Sequence, residues 1–439
     1  MNNVINVLET LNEFMKSEKI NGSITYRSET SHMVRCGRSQ ISLNVSEMGE
    51  KFFIDLQEGK RKISGSTTAQ ASEFDKIKDF IKSLHKKIEI MPEVEHMTPM
   101  TAIAQGDLNK HSPDQKIVNM ESSTMVDLFK SIGEKFKDSN VEISGAFSSG
   151  VYSYAVINTM VEKAVSYQGS DFNVEAVLQL LDHDKKEVRA ANVGENLSDY
   201  SKESILEELE RMYKVKTTTE RIDLEAGKYD VVFTADAFAE MTNYVGYVAF
   251  SGETYEYQMG MLQKDTHKIG SKLFGKNISI IDDPSDPDIL FARPVGRNGV
   301  ERKNFPLITD GVLNNFFYSD KDTCDRFSME VNNDANVASL KVSVGDGPSD
   351  FQKMIESCDR PTLFIPFIHY MNFTNAAKGE FTGTSRFGTF FVNEGKIQNH
   401  VYNLRINDSF HHIFNNVEWL SNKLAHINFL FLLQNYQYT

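Results

Sequence analysis

The sequence predicts an α+β protein. An N-terminal α/β region combines an antiparallel sheet with long helices, and a β-rich C-terminal domain of antiparallel, barrel- or sandwich-like character follows. Three observations predict this. Several segments of the first half carry apolar residues at helical spacing, as Val4, Val7, Leu8, Leu11 and Phe14 do. Between them, stretches such as SITYR at 23–27 alternate apolar and polar residues, the pattern of half-buried strands. From Asn277 onward turn signals crowd together (DDPSDPD, GRNG, VGDGPSD, NEGK) and separate short strands.

Each element has its own justification. Residues 2–14 form the first helix, and SITYR, QISLNVS (40–46) and KFFIDLQ (51–57) read as three strands. A second helix, 72–87, puts Phe74, Ile77, Phe80, Ile81 and Leu84 on one face. The stretch 90–113, with Pro92, Pro99 and Pro113, reads as a linker. Then come a helix at 122–137, strands at 141–158, 166–168 and 188–192, and a charged helix at 202–213. YDVVF, 229–233, reads as a buried strand, followed by helices at 235–250 and about 255–273. ISII, TLFIPFI, TFFV and HVYNLRI supply strands of the last third. At ~150 residues per domain, the 439-residue chain divides into 1–115, 116–275 and 276–439.

Composition narrows the function. Hydrophobic residues at 40% and charged residues at 25% are globular values. A net charge of −14 opposes direct nucleic-acid binding, which needs a basic surface. Three scattered cysteines, Cys36, Cys324 and Cys358, make no disulfide framework and fit a reducing compartment. The N-terminal segment carries Glu9 and Glu13 where a signal peptide is apolar. The longest apolar run, INFLFLL at 427–433, is far short of the ~20 residues of a membrane span. These features predict a cytoplasmic protein without a membrane partner.

The motif search finds no catalytic centre. Residues 270–276 share the GxxxxGK frame of a phosphate loop, but Asn277 stands where a hydroxyl is needed, so a helix end capped by glycine is expected. Asp282, Asp283, Asp286 and Asp288 lack the glycine and closing glutamate of a calcium loop and read as a solvated turn. GAFSSG at 145–150 is not a nucleophile elbow and reads as a plain turn. No HExxH or HExxxH is present, and the adjacent His411 and His412 point in different directions on any regular element.

Two longer stretches carry a resemblance. The first is IGSKLFGKNISIIDDP (269–284) with VERKNFPLITDGVLNNFFYSD (300–320), and the second is FTGTSRFGTFFVNEGKIQNHVYNLRINDSF (381–410). In order, these resemble the TldD/PmbA family, also called the modulator-of-DNA-gyrase family, with His400 where the family usually has proline. The resemblance implies one of two chain types. TldD-like members resemble zinc metallopeptidases with HExxxH on the helix after a buried strand. TldE/PmbA-like members lack the motif and pair with a TldD-like chain, and such pairs cleave extended or unfolded peptides, in peptide maturation or antitoxin degradation.

Zinc peptidase chemistry needs neutral imidazoles, an open position for water and a glutamate base. Histidines at i and i+5 lie ~500° apart on a regular helix, and converge where the helix widens into a π-turn. Counted from 229–233, the motif positions fall on Asn243 and Val248 for histidine and Tyr244 for glutamate. One turn back, Glu240 takes the base position and Ala239 and Tyr244 replace the histidines. No register supplies a histidine, and the family's downstream cysteine ligand has no counterpart. The resemblance therefore implies a TldE/PmbA-like, non-catalytic chain with no cofactor of its own. Zinc is expected on a TldD-like HExxxH partner, in a heterodimer or a self-dimer. Residues Leu307, Asp310, Gly311, Leu313 and Phe316 are a candidate peptide-groove strand, because an added strand reads main chain. Tyr244, Tyr247, Phe250, Tyr255 and Tyr257 are candidates for lining the groove. Two alternatives stay open: a hydrolase drawing on His369, His400 or Glu240, and a non-enzymatic scaffold on the same fold.

Overall fold

The structure is a computed structural model describing residues 1–108, 112–181, 186–290, 292–296, 299–318, 321–329 and 339–427, with 321–323 described by backbone alone. The first half runs α1 (Asn2–Ser17), β1 (Asn21–Gly37), β2 (Gln40–Glu58), β3 (Arg61–Thr67), α2 (Phe74–Ile88), β4 (Gly106–Asp107), α3 (Gln115–Val118), α4 (Ser122–Lys135), β5 (Val141–Asn158), β6 (Val165–Leu180), β7 (Glu187–Gly194) and α5 (Lys202–Thr218). Its seven strands form one sheet in the order β3-β2-β1-β5-β6-β4, with β7 also on β6. β1 and β5 pair antiparallel from Ser23 with Asn158 to Cys36 with Gly145, so one ladder joins strands from both sides of the 90–113 stretch.

Two packing groups cover this sheet. Leu8, Leu11 and Met15 of α1, with Ile77, Ile81 and Leu84 of α2, bury Ile24, Tyr26, Phe52 and Ile54. Leu128, Phe129 and Ile132 of α4, with Leu209 and Met212 of α5, bury Phe147, Phe172 and Leu178, and this cluster extends to Phe364 and Phe390 of the second half. Burial on this scale supplies the helices' stability, at about 25 cal/mol per Å² of apolar surface.

The second half runs β8 (Glu220–Ile222), β9 (Asp230–Phe233), α6 (Ala235–Val245), a π-helical turn (Gly246–Phe250), α7 (Gly252–Glu256), β10 (Ile280–Asp282), β11 (Phe305–Thr309), β12 (Val312–Leu313), α8 (Lys321–Arg326), β13 (Leu340–Val342), α9 (Phe351–Glu356), β14 (Thr362–Ile365), β15 (Phe367–Asn375), β16 (Glu380–Arg386), β17 (Phe390–Asn393), β18 (Lys396–Val401), β19 (Arg405–Ser409) and α10 (Phe410–Asn415). Three small sheets result: β12-β11-β10-β13, β8-β18-β17-β14-β9 and β15-β16-β19. They surround a core of Phe250, Phe274, Phe381, Phe410 and Phe414. The α+β class holds, but among the described residues the C-terminal strands close no barrel.

Several local expectations change. QISLNVS and KFFIDLQ are one strand, β2, because Gly49 continues the ladder opposite Glu29. The hairpin turns instead at Arg38 and Ser39, both with positive φ, as a two-residue turn matching strand twist requires. GAFSSG lies inside β5, not in a turn. A Cβ on Gly145 would sit 2.2 Å from the Glu175 carbonyl oxygen, so this glycine permits close approach of β6. Helix α7 ends at Glu256, and 257–273 is not helical; Gln258 has φ +54°, and Met261 N–H donates to Val248 O at 2.9 Å. Gly270 and Gly275 cap no helix but donate their N–H groups to Leu313 O and Phe414 O. The run 427–433 lies, beyond Ile427, outside the described residues.

The acidic turn is solvated only in its second half: Asp282 and Asp283 are buried, while Asp288 is exposed. Asp282 and Arg302 are 1% and 4% exposed, and Arg302 Nη2 donates to both carboxylate oxygens of Asp282, with Ser339 N–H also donating to Asp282. Lys341 of β13 meets Asp286 at 2.8 Å and Asp288 at 2.7 Å. These contacts tie β10 to β13. Removing one member of a buried ion pair strands the other charge. Asp282→Asn should therefore lower unfolding free energy by about 3 kcal/mol or more in urea titration, whereas the double change Asp282→Leu, Arg302→Met should recover most of that loss.

Candidate functional site

The segment between β9 and α7 forms one wall of a cavity of about 1950 Å³, whose other walls come from β13, β19, α10 and residues 415–427. β9 is a strand as expected but only Val232 is buried; Asp230 and Val231 are exposed, because its outer side opens into the cavity. Thr234 occupies the N-cap position of α6, and its Oγ1 donates to Pro366 O at 2.6 Å. Asp236 in its first turn accepts from Arg189 Nη1 at 2.9 Å, and Arg189 Nε reaches Glu175 at 3.0 Å. The guanidinium lies over Phe367, 4.8 Å from the ring centre. Burial opposes its charge, but the Asp236 and Glu175 carboxylates outweigh that and hold Arg189 above its usual range.

The helix presents three flanks. Ala237, Met241, Val245 and Val248 enter the core. Phe238, Ala239, Thr242, Asn243, Gly246 and Tyr247 line the cavity. Glu240 lies between the cavity wall and the core; its carboxyl is desolvated and pushed up to about 7, and the neighbouring Tyr244 hydroxyl is raised by burial and then by Glu240. Tyr244 Oη donates to Met371 O at 2.5 Å and its ring packs 5.3 Å from Phe373.

This arrangement places each expected residue. In the first frame Asn243 lines the cavity but Val248 is 5% exposed in the core. In the second, Ala239 lines it but Tyr244 turns toward β15. Within α6 and the π-helical turn, the frames that put both i and i+5 on the wall are Phe238 with Asn243 and Thr242 with Tyr247. The second of these enters the π-helical turn, where i and i+5 converge. Neither frame presents an imidazole, and among the described residues no group of three His, Cys, Asp or Glu side chains is placed to hold a metal.

The candidate groove strand does not face the cavity. Leu307, Leu313 and Phe316 are buried in the core. β11 already pairs with β10 and β12, so it has no edge to offer. Asp310 and Gly311 form the turn between β11 and β12, both with positive φ. The edges that reach the cavity are others: β9, β13 and β19 line it, and each ends its sheet among the described residues. Of the candidate aromatic lining, Tyr247 is on the wall, Phe250 is in the core and Tyr255 stacks on Phe316 at 4.4 Å. His369 and His400 lie off the cavity, with His400 Nδ1 3.1 Å from Thr219 Oγ1. A pair missed in the sequence does reach it: His412 Nδ1 lies 2.9 Å from Asp408 Oδ1. Its signal was the i, i+4 spacing of Asp408 and His412 across the Ser409 N-cap.

Comparison defines the class of this domain. Residues 226–434 match the family model of the PmbA/TldA metallopeptidase C-terminal domain. The C-terminal part of the chain, residues 226–434, thus carries a domain of the PmbA/TldD family. Among solved structures it is similar to TldE from Thermococcus kodakarensis, at 16% identity, TM-score 0.81 and 94% of both chains. It is also similar to proteins described as modulators of DNA gyrase. The one from Thermotoga maritima has 16% identity and TM-score 0.78 over 95% of this chain and 94% of that one. The one from Bacteroides thetaiotaomicron has 14% identity and TM-score 0.79 over 95% and 93%. At these identities the likeness concerns the fold. An uncharacterized protein of Methanocaldococcus jannaschii is 31% identical over 94 residues, which are 21% of this chain and 22% of that protein.

Glu240 gives the site a pH signature. Its folded value of about 7 exceeds the ordinary 4.5, so the folded state holds the proton more tightly. That contribution to stability is complete below the unfolded value and lost as pH rises through about 7. Glu240→Gln, uncharged throughout, should flatten the fall in melting temperature between about pH 5 and 8 and be the more stable protein at the upper end, by about 1 kcal/mol. Coincident wild-type and variant profiles would contradict this.

Proposed function

We propose that this chain is the zinc-less, TldE-like half of a TldD/TldE-type metallopeptidase. It pairs with an HExxxH-bearing subunit and holds an extended peptide in a shared chamber. One observation carries the reading: the wall built by α6 and the π-helical turn keeps the geometry for an i, i+5 pair but offers Thr242, Asn243, Gly246 and Tyr247 to the cavity. Threonine, asparagine and tyrosine are poor zinc ligands beside neutral imidazole or thiolate. What remains on the wall suits binding. β9, β13 and β19 present main-chain donors and acceptors along the same cavity, and an unfolded peptide satisfies such edges whatever its sequence. The similarity to a TldE structure agrees with this assignment.

Co-expression with a TldD-like HExxxH chain, followed by zinc analysis and digestion of an unfolded peptide, tests it. Zinc is expected on the partner alone, and cleavage with both chains together. Stoichiometric zinc and peptidase activity on this chain by itself would overturn the proposal.

A further inference from the structure

We propose that Glu253 is the cation acceptor of the cavity, and that it selects extended peptides bearing an ammonium or guanidinium group. The inference rests on the reading of the cavity as a peptide chamber. Glu253 lines the cavity, and its Oε1 is buried with no hydrogen-bond partner. Among the described side chains of the wall it is the one with such an atom. The other oxygen has only Ser251 Oγ at 3.3 Å, a hydroxyl that also caps α7 by accepting from Thr254 N–H at 3.2 Å. A carboxylate with an unfilled, covered acceptor is a costly arrangement, and rotation about its last, roughly two-fold torsion exchanges the two oxygens. A cation arriving in the cavity therefore finds an oxygen whose acceptor capacity is unused.

The position of this carboxylate is fixed by its surroundings. Gly252 N–H donates to Phe317 O at 2.7 Å, and Phe317 N–H donates to Phe250 O at 2.8 Å. A Cβ on Gly252 would lie 2.3 Å from the Tyr318 ring, so glycine lets α7 rest on that ring. Glu256, on the same short helix, is already paired with Lys264 at 2.7 Å and accepts from Tyr318 Oη at 3.2 Å. Several basic groups of the wall also have partners. Arg360 meets Asp230 and, at 2.6 Å, Glu418; Lys341 meets Asp286 and Asp288; and Arg293 lies over Tyr152, 5.6 Å from the ring centre. Among the described residues no lysine or arginine forms an ion pair with Glu253, so the matching cation comes from the ligand, as a lysine or arginine side chain or as a free α-ammonium group.

Fluorescence anisotropy with the full chain and labelled, unstructured decapeptides distinguishes these sources. The peptides carry one lysine or its norleucine isostere, each with a free or an acetylated N-terminus. Loss of the responsible charge should weaken binding to the wild type about tenfold. Glu253→Gln should bind the charged peptides no better than the neutral one, while its affinity for the neutral peptide stays as in the wild type. Glu253→Asp, which keeps the charge, should restore part of the preference. An undiminished preference in Glu253→Gln, or equal binding of all four peptides by the wild type, would overturn the role of Glu253 and leave the chamber reading standing. Failure of every peptide to bind would sink both.

Discussion

Arg189 carries the junction on which the site depends. Its guanidinium leaves β7, takes Glu175 from the neighbouring strand and Asp236 from the first turn of α6, and lies flat on Phe367. The pairing joins the large N-terminal sheet to the start of the helix that forms the cavity wall. Arg386 repeats the connection from the other side, gripping Glu187 of β7 through Nε at 2.8 Å and Nη2 at 3.1 Å. Forked, planar contacts of this kind fix direction as well as distance. An error of one residue in α6 would rotate its wall by ~100°, so the clamp at Asp236 decides which side chains the cavity receives.

Farther along, the wall depends on a wide turn rather than on charge. A π-helical segment leaves carbonyl groups out of the ordinary i to i−4 pattern. Here the Val248 carbonyl accepts from Met261 N–H, and a Cβ on Gly260 would lie 2.2 Å from that oxygen. The non-helical loop after α7 thus acts as a buttress for the turn. The bridge from Ser251 to Phe317 supports its other end. A distorted helix with specific partners at several points is part of the fold's framework.

The sequence made the helices and the longest strands legible because their signals are local. The spacing in α1, α2, α4 and α5 and the whole of β5 emerge where periodicity puts them. Tertiary facts were less visible. Tyr255, Met259 and Leu262 are spaced like a helix face, yet the chain folds back there because Met261 serves Val248. The aspartates at 282–288 look like a surface turn, since their partners Arg302 and Lys341 stand about 20 and 53 to 55 residues downstream. The strand-then-helix order of β9 and α6 was legible, but which of the helix's side chains reach the cavity was not. Asn243 and Val248 are equivalent choices in a string of letters, and burial alone separates them. The groove strand failed for a similar reason, because free edges are a property of pairing partners and not of composition.

The placement of β9, β13 and β19 also bears on solubility. An unpaired strand edge is a template for any other extended chain, including another copy of the same protein. Turned outward, three such edges would invite edge-to-edge growth into fibres. Here all three line the walls of one hollow instead of the outer surface.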